Sequence, residues 1–309
     1  MREAWYPRVQ ELLHLVEVRQ SDYDSHFGDV AHGFVCNHAP NSPVRLHYVL
    51  PDGSGEPRFA QLARMLVRYI TIYCYQATRR KDLGEIDRNE LFMQARDLFR
   101  QVDSSGQVGE LLVYFLLEAV LKAPQALKKM QLTTNAKEER KGSDGVHLRF
   151  DSSSQMLEVI FAEAKIWGSF TGALADAFKS METFHDSRTK SHEVNCFTAN
   201  FCVLSPELQE QVISYVDGEN ASRSRLVHAC LIGFDWDEYK CLDDERRAAF
   251  VAEFEDRYRK WVEGFAIGHI NDKAREFKHK QVRFEFFILP FKDVAQFRSW
   301  FLAELQGKG

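Results

Sequence analysis

The sequence predicts an α/β protein in which helices flank a mixed β-sheet. One observation is an apolar helical segment at 106–121 that leads into closely spaced strand-like runs and then into a further helix. Another is the return of strand-like runs later in the chain, separated by a long charged helix. The predicted strands lie at 130–134, 145–151, 156–166, 226–234 and 282–289, and the predicted helices at 106–121, 171–185, 243–276 and from about 292 onward. Strands interleaved with helices are typical of a sheet covered by helices.

The first 85 residues differ from the rest in the pattern of helices and strands that their sequence predicts. They contain an amphipathic N-terminal helix, a helical run at about 58–79 and one strand-like run at 44–50 bounded by turn residues. We therefore expect a mostly helical N-terminal region over 1–85, which is a candidate for docking a partner, and an α/β domain over 86–309. The latter begins with a helix at about 88–102.

Composition and charge exclude some classes of protein. The chain has 309 residues, 45% of them hydrophobic. Its net charge is -5, so the surface as a whole does not attract nucleic acid electrostatically. Local basic stretches at 128–149 and 256–283 remain candidates for such contacts, or are simply solvated faces. No apolar run is long enough to span a membrane, and no signal-peptide pattern opens the chain. We expect a cytoplasmic protein with buried free thiols.

The strand-like run LEVIFAEAKI carries the first candidate site residues, Glu163 and Lys165. Side chains alternate along a strand, so both share a face with Leu157, Val159 and Phe161. An ionised group at the end of a buried stripe needs a partner or a metal, because burying it alone is costly. A Glu-x-Lys pair on a strand is by itself weak, since ion pairs of this kind are common in sheets.

Asp144 and Glu110 strengthen the pattern. Asp144 stands at the end of an apolar row on the preceding strand, so pairing of the two strands would bring it near Glu163. Glu110 shares a helix face with Tyr114 and other apolar residues near the start of the helix. Glu118, two turns further on, is a competing candidate.

Converging carboxylates suit Mg²⁺ or Mn²⁺, and the backbone carbonyl of Ala164 is a plausible extra ligand. A bound cation polarises a scissile phosphate and generates hydroxide, and Lys165 can orient the water or offset phosphate charge. The pattern therefore predicts hydrolysis of phosphodiester bonds.

The residues that carry this pattern resemble a known superfamily. Glu110, the run Gly142-Ser143-Asp144-Gly145 and the run Glu163-Ala164-Lys165 are similar to the motif of PD-(D/E)xK nucleases, although Ser143 stands where that motif often has proline. The segments GELLVYFLLE, KMQLTTN, GSDGVHL and FAEAKIWGSFTGALADAFKSM more narrowly resemble HamA, the nuclease subunit family of Hachiman anti-phage defence. The resemblance is specific across about 105–190.

The resemblance implies a restriction-endonuclease-like core and DNA as substrate. It implies that Asp144 and Glu163 bind metal, that Lys165 is the catalytic lysine and that Glu110 is the helix acid. It also implies a partner, the superfamily 2 helicase HamB, which holds the nuclease in check. A polar group from the helix after the core strand sometimes joins such sites, and Lys179 or Asp176 can serve here.

Several alternatives stay open at the level of sequence. The chain can instead be a catalytically silent subunit that binds nucleic acid or regulates a helicase, or it can cleave RNA. Lys137, Arg140 and Lys141, near Asp144 in sequence, are candidates for phosphate contacts or for a solvated loop. The histidines around Cys36 fit no standard zinc spacing, and packed histidines in a polar loop are the simpler interpretation.

Overall fold

A computed structural model describes most of the chain. The residues that it describes are 6–30, 33–39, 42–100, 106–127, 143–185, 205–210, 224–240, 250–280 and 282–308. Lys137, Arg140, Lys141 and the predicted strand at 130–134 lie outside these ranges. No helix among the described residues has both the length and the apolar character needed to cross a membrane.

Helices and strands alternate along the chain. The helices are α1 (Tyr6–His14), α2 (Gln20–Asp24), α3 (Phe59–Cys74), α4 (Ala77–Arg80), α5 (Glu85–Arg100), α6 (Gln107–Leu121), α7 (Phe170–Phe184), α8 (Phe250–Trp261), α9 (Ile267–Glu276) and α10 (Val294–Leu305). The strands are β1 (Phe27–Asp29), β2 (Val35–Cys36), β3 (Ser42–Val49), β4 (Gln125–Leu127), β5 (Gly145–Asp151), β6 (Met156–Trp167), β7 (Ser224–Asp235) and β8 (Arg283–Phe291). A π-helical turn, Val262–Ala266, joins α8 to α9.

The strands form a mixed sheet, as the sequence predicts. Their order is β1-β3-β8-β7-β6-β5-β4, with β2 beside β3. The pair β3 and β8 is parallel, whereas β5 is antiparallel to both β4 and β6. The α/β prediction is therefore confirmed.

Most predicted elements are present within a few residues of their expected bounds. The predicted helix at 58–79 is broken between α3 and α4, and the predicted long helix at 243–276 contains the π-helical turn. Residues 241–249 lie outside the description. The edge strand β4 was not predicted, because its three residues carry no alternation that a sequence pattern can detect.

The chain forms two compact units, each built from three segments. Unit 1 comprises 1–19, 68–163 and 183–228, and unit 2 comprises 20–67, 164–182 and 229–309. The strands β6 and β7 contribute residues to both. The predicted boundary near residue 85 stays a prediction, and residues before it supply β1, β2 and β3 to the sheet.

Unit 1 is built around the β5–β6 hairpin. One face of the hairpin forms a hydrophobic cluster with Leu12 of α1, with Phe184 and with Leu208. On the opposite face, His147 donates a hydrogen bond from Nδ1 to the Ala123 carbonyl at 2.8 Å. Helix α6 ends just before that carbonyl, because Lys122 adopts a left-handed conformation and Pro124 follows. The hairpin is thus covered on both faces.

A buried cluster of ion pairs connects β5, β6 and β7 in unit 1. Glu158 is fully buried and accepts from Arg149 at 2.5 Å and from Arg225 at 2.7 Å. Arg225 also contacts Asp151 at 2.5 Å. Burial raises the pKa of the Asp151 carboxyl, but hydrogen bonds from Ser153 and neighbouring groups outweigh this and lower it overall. The lowered pKa of Asp151 therefore keeps that carboxylate ionised at neutral pH, beside Arg225.

Unit 2 has an equivalent arrangement around the parallel pair β3 and β8. Glu285 is fully buried and accepts from Arg45 at 3.0 Å and from Arg283 at 2.9 Å. Phe178 of α7 packs on Phe286 of β8, with ring centroids 6.2 Å apart. Aromatic packing of α7 on β8 fixes the helix that begins just after β6.

Removing the central charge of the unit 1 ion cluster tests its role. We expect Glu158→Gln to lower the free energy of unfolding by about 3 kcal/mol, because Arg149 and Arg225 would keep buried charges without their shared counter-ion. Urea unfolding measures the change. The exposed pair Asp256–Lys260 supplies the control, since Asp256→Asn should leave the urea midpoint unchanged. Equal midpoints for the two variants would contradict this interpretation.

Candidate functional site

Glu163 and Lys165 lie near the C-terminal end of β6, two residues apart on one face. Leu157, Val159 and Phe161, which alternate with them, pack into the hydrophobic cluster of unit 1, as their spacing predicts. Glu163 is only 7% exposed, whereas Lys165 is half-buried. Both have electrostatic or hydrogen-bonding interactions within the chain. A nearly buried carboxylate therefore ends this apolar row.

Asp144 lies immediately before β5, across the hairpin from Glu163. The register pairs Gly145 with Ala162 and Val146 with Phe161. The backbone N–H of Asp144 donates to the Ala162 carbonyl at 2.8 Å, which extends the pairing beyond the end of the strand. Because Ala162 directly precedes Glu163, the hairpin holds the two acids at neighbouring positions.

Tyr73 of α3 connects Asp144 to Glu110. Its hydroxyl donates to Oε2 of Glu110 at 3.1 Å and faces the backbone carbonyl of Asp144 at 3.4 Å. Burial, followed by the charges of Glu110 and Asp144, raises the pKa of the Tyr73 phenol well above its usual value. The phenol therefore stays protonated, and both carboxylates lie close enough to act on it electrostatically.

Helix α6 does not cover the apolar row that leads to Glu163. Its Tyr114 packs near the His147 ring, at a centroid separation of 6.0 Å, and His147 alternates onto the opposite face from Val146. Glu110 approaches Asp144 nonetheless, because it lies in the first turn of α6 and Asp144 lies outside the strand. Both residues adjoin the Tyr73 hydroxyl at the open end of the hairpin.

Glu118, the competing acid of α6, has a structural role. It is 1% exposed, and its Oε2 accepts from the backbone N–H groups of Glu17 at 2.7 Å and Val18 at 3.0 Å. Its Oε1 accepts from the backbone N–H of Gln125 at 3.1 Å. One carboxylate thus satisfies three backbone donors from two separate segments, which leaves Glu110 as the candidate site acid.

The donor set fits a hard divalent cation. Glu110 Oε2 accepts from the Tyr73 hydroxyl and the Asp144 backbone carbonyl lies 3.4 Å from the same hydroxyl, so two acids adjoin one phenol, and like charges held near each other favour a cation between them. Among the described residues, no group of three or more His, Cys, Asp and Glu side chains is placed to hold a metal ion. Mg²⁺ commonly binds through only one or two carboxylates, with water and substrate phosphate completing its shell. A two-carboxylate site meets that requirement.

The other predicted site residues have different outcomes. Lys179 is exposed on α7 and Asp176 is half-buried there, and the structure gives no reason to prefer either. Near Cys36, the described His26 contacts the carbonyl of Asp22 at 2.8 Å, which is a local loop contact and not a metal geometry.

Sequence reasoning missed Tyr73. An aromatic residue within an apolar helix has the same signature whether it fills a core or holds a carboxylate. Only the tertiary contact between α3 and the first turn of α6 reveals its position.

The fold and the site together define an α/β protein with a carboxylate pair held at the open end of a β-hairpin. Compared with models of protein families, residues 25–305 match HamA, and because this match covers nearly the whole chain, the chain belongs to the HamA family. Membership makes it a component of Hachiman defence and implies a partner within that system. A search of curated proteins found no match.

Substituting each acid of α6 by glutamine distinguishes the structural role of Glu118 from the proposed site role of Glu110. Glu118→Gln should lower the free energy of unfolding by about 2–3 kcal/mol, because an amide oxygen cannot replace both carboxylate oxygens toward three backbone donors. Glu110→Gln should lower it by less than about 1 kcal/mol, since its amide oxygen still accepts from Tyr73. Urea unfolding of both variants measures this difference. A greater loss in Glu110→Gln than in Glu118→Gln would reverse the assignment of roles.

Proposed function

We propose that this HamA family member is a metal-dependent deoxyribonuclease and the effector subunit of a helicase-coupled Hachiman complex. The observation that supports this most is that Glu110 and Asp144 both contact the Tyr73 hydroxyl. Asp144 also lies across the β5–β6 hairpin from Glu163. Acids at strand ends followed by a lysine match the chemistry of phosphodiester hydrolysis.

Each residue has a defined task in this proposal. Glu110, Asp144 and Glu163, with the backbone carbonyl of Ala164, hold Mg²⁺ or Mn²⁺. When bound, the cation supplies Lewis-acid activation of a phosphate and lowers the pKa of water. Lys165 orients the attacking water or balances phosphate charge. These tasks require ionised carboxylates and a protonated lysine at neutral pH.

Tyr73 is a positioning residue in the proposed site. Its hydroxyl donates to Oε2 of Glu110 and so orients that carboxylate. Because its raised pKa keeps the phenol neutral, it adds no negative charge that would compete with substrate phosphate.

A partner is expected to control this activity. The net charge of -5 disfavours solitary capture of DNA, so coupling to a superfamily 2 helicase, HamB, would deliver the substrate. The proposed docking surface is residues 1–85, the long helical segment that contains α8 and α9, or both. Co-purification of the two subunits tests this, and binding that survives both truncation of 1–85 and disruption of the long segment would contradict it.

A catalytically silent, nucleic-acid-binding or regulatory subunit is the second candidate function. The net charge of -5, which disfavours unaided capture of DNA, agrees with a subunit that acts through its partner. The two candidates differ in whether anti-phage protection needs the acids and the lysine.

We expect the double variant Glu163→Ala/Lys165→Ala to lose cleavage of plasmid DNA in Mg²⁺ or Mn²⁺ by at least about a hundredfold, because it removes a carboxylate and the lysine from the reaction. The helicase-bound complex is assayed beside the free chain, with RNA of matched sequence as a second substrate. Glu90→Gln, which alters an exposed acid of α5 outside the proposed docking surfaces, is the control and should keep wild-type activity. Phage protection by the double variant equal to wild type would instead favour the silent subunit.

Removing only the phenol oxygen tests the positioning role. Tyr73→Phe should weaken Mn²⁺ binding, followed by electron paramagnetic resonance, by about tenfold, because Glu110 loses a hydrogen bond that orients it. Tyr258→Phe is the matched control, since that hydroxyl is equally buried but donates to the Ile288 carbonyl at 2.8 Å. Equal Mn²⁺ affinity in wild type and both variants would refute positioning by Tyr73.

A further inference from the structure

We propose that Trp167 and Phe265 form a platform on which unpaired nucleobases stack, so that the substrate is single-stranded or end-frayed DNA. This inference rests on the proposed nuclease function for its substrate class. It concerns a surface of unit 2 that the acid cluster does not include.

Trp167 ends β6 with its side chain 49% exposed. Ile166 is buried against Gly233 and Phe291, where a side chain at Gly233 would collide with it. Because side chains alternate along a strand, Lys165 and Trp167 emerge together on the other face. A large exposed indole thus follows the candidate catalytic lysine by two residues.

Phe265 provides a second exposed ring next to the same turn. It lies in the π-helical turn between α8 and α9 and is 39% exposed. Its ring centroid is 6.1 Å from that of Phe170, which starts α7 three residues after Trp167. Trp261 packs on both, at 5.3 Å from each. Phe170 therefore anchors the turn that carries Trp167 beside the turn that carries Phe265.

The surroundings leave part of this surface open to solvent. A Cβ added at Gly264 or Gly268 would meet nothing within 4 Å, so neither position covers the Phe265 ring. The centroid of the His269 ring lies 4.3 Å from that of Phe265, with the two rings tilted by 40°, so His269 extends the aromatic row. π-helical turns are often found at functional sites, because they shift side chains out of the regular helical pattern.

Two cationic side chains near the end of β6, Lys165 and Arg298, are suited to binding the phosphate backbone of DNA. Arg298 donates to the carbonyl of Ile166 at 2.5 Å, which places a guanidinium between Lys165 and Trp167 along the strand. Two exposed acids, Glu263 and Asp235, lie in the same part of unit 2. Asp235 accepts a hydrogen bond from the backbone N–H of Val294 at 2.6 Å. Cations at the strand end together with aromatic rings are the two components of single-strand binding.

The size of the surface favours bases over a docked protein. A stable protein interface needs roughly 1,000 Å² with a continuous apolar centre, whereas the exposed residues within two positions of Phe265 are Gly264 and the charged Glu263. Two rings are enough to stack one or two bases, and stacking tolerates any base because each has a π-face.

Binding of DNA measures this directly, with the full chain and without metal so that no cleavage occurs. The probes are fluorescein-labelled oligo(dT) and a blunt hairpin duplex of equal length, followed by anisotropy. We expect Trp167→Ala and Phe265→Ala each to weaken oligo(dT) binding roughly 5- to 150-fold, with little change for the duplex. Ile86→Ala, which truncates an exposed apolar residue of α5 in unit 1, is the control and should change neither.

A second readout identifies contact with the indole itself. Oligo(dT) should quench tryptophan fluorescence of the wild type, and Trp167→Phe should retain most of the binding but lose most of the quenching. Unchanged oligo(dT) affinity in both alanine variants, or no oligo(dT) binding by the wild type, would overturn the proposal. Loss of helicase co-purification with intact oligo(dT) binding would also overturn it and assign the surface to a protein partner. Stacking without any cleavage under metal would retain this inference while removing the proposed nuclease function.

Discussion

The antiparallel register between β5 and β6 is the constraint on which the candidate site depends. Pairing of Gly145 with Ala162 brings Asp144 to the level of Glu163, and one step of slippage would move every apolar side chain of β5 to the other face. Burial of Val146 and Leu148 in the hydrophobic cluster opposes such slippage. The same apolar packing that stabilises the hairpin therefore sets the relative position of its acids.

Buried carboxylates in this protein are distinguished by what satisfies them. Arginines neutralise Glu158 and Glu285, and backbone N–H groups hold Glu118. Glu110 is half-buried, accepts from the Tyr73 phenol and lies near a second acid, Asp144. The partners of each acid, rather than burial alone, distinguish the structural acids from the candidate site acid.

The sequence was sufficient for features that depend on periodicity. Alternation predicted the shared face of Glu163 and Lys165 and the α/β class, because a two-residue repeat is written into the strand itself. It could not rank Glu110 above Glu118, since both follow the same helix phase and only their tertiary partners differ. Tyr73 and Trp167 were missed for the same reason: burial by α3 and exposure at a strand end are properties of the folded chain.

Glu110 and Asp144 are proposed to form one metal site with β6. A crystal structure of the protein soaked in Mn²⁺, with the ion located by anomalous scattering, tests this most directly. We expect an ion about 2.0–2.3 Å from carboxylate oxygens of Glu110 and Asp144, with Glu163 or the Ala164 carbonyl completing its protein ligands. Fully occupied Mn²⁺ elsewhere, with the Glu110 and Asp144 carboxylates bound to no ion, would contradict it.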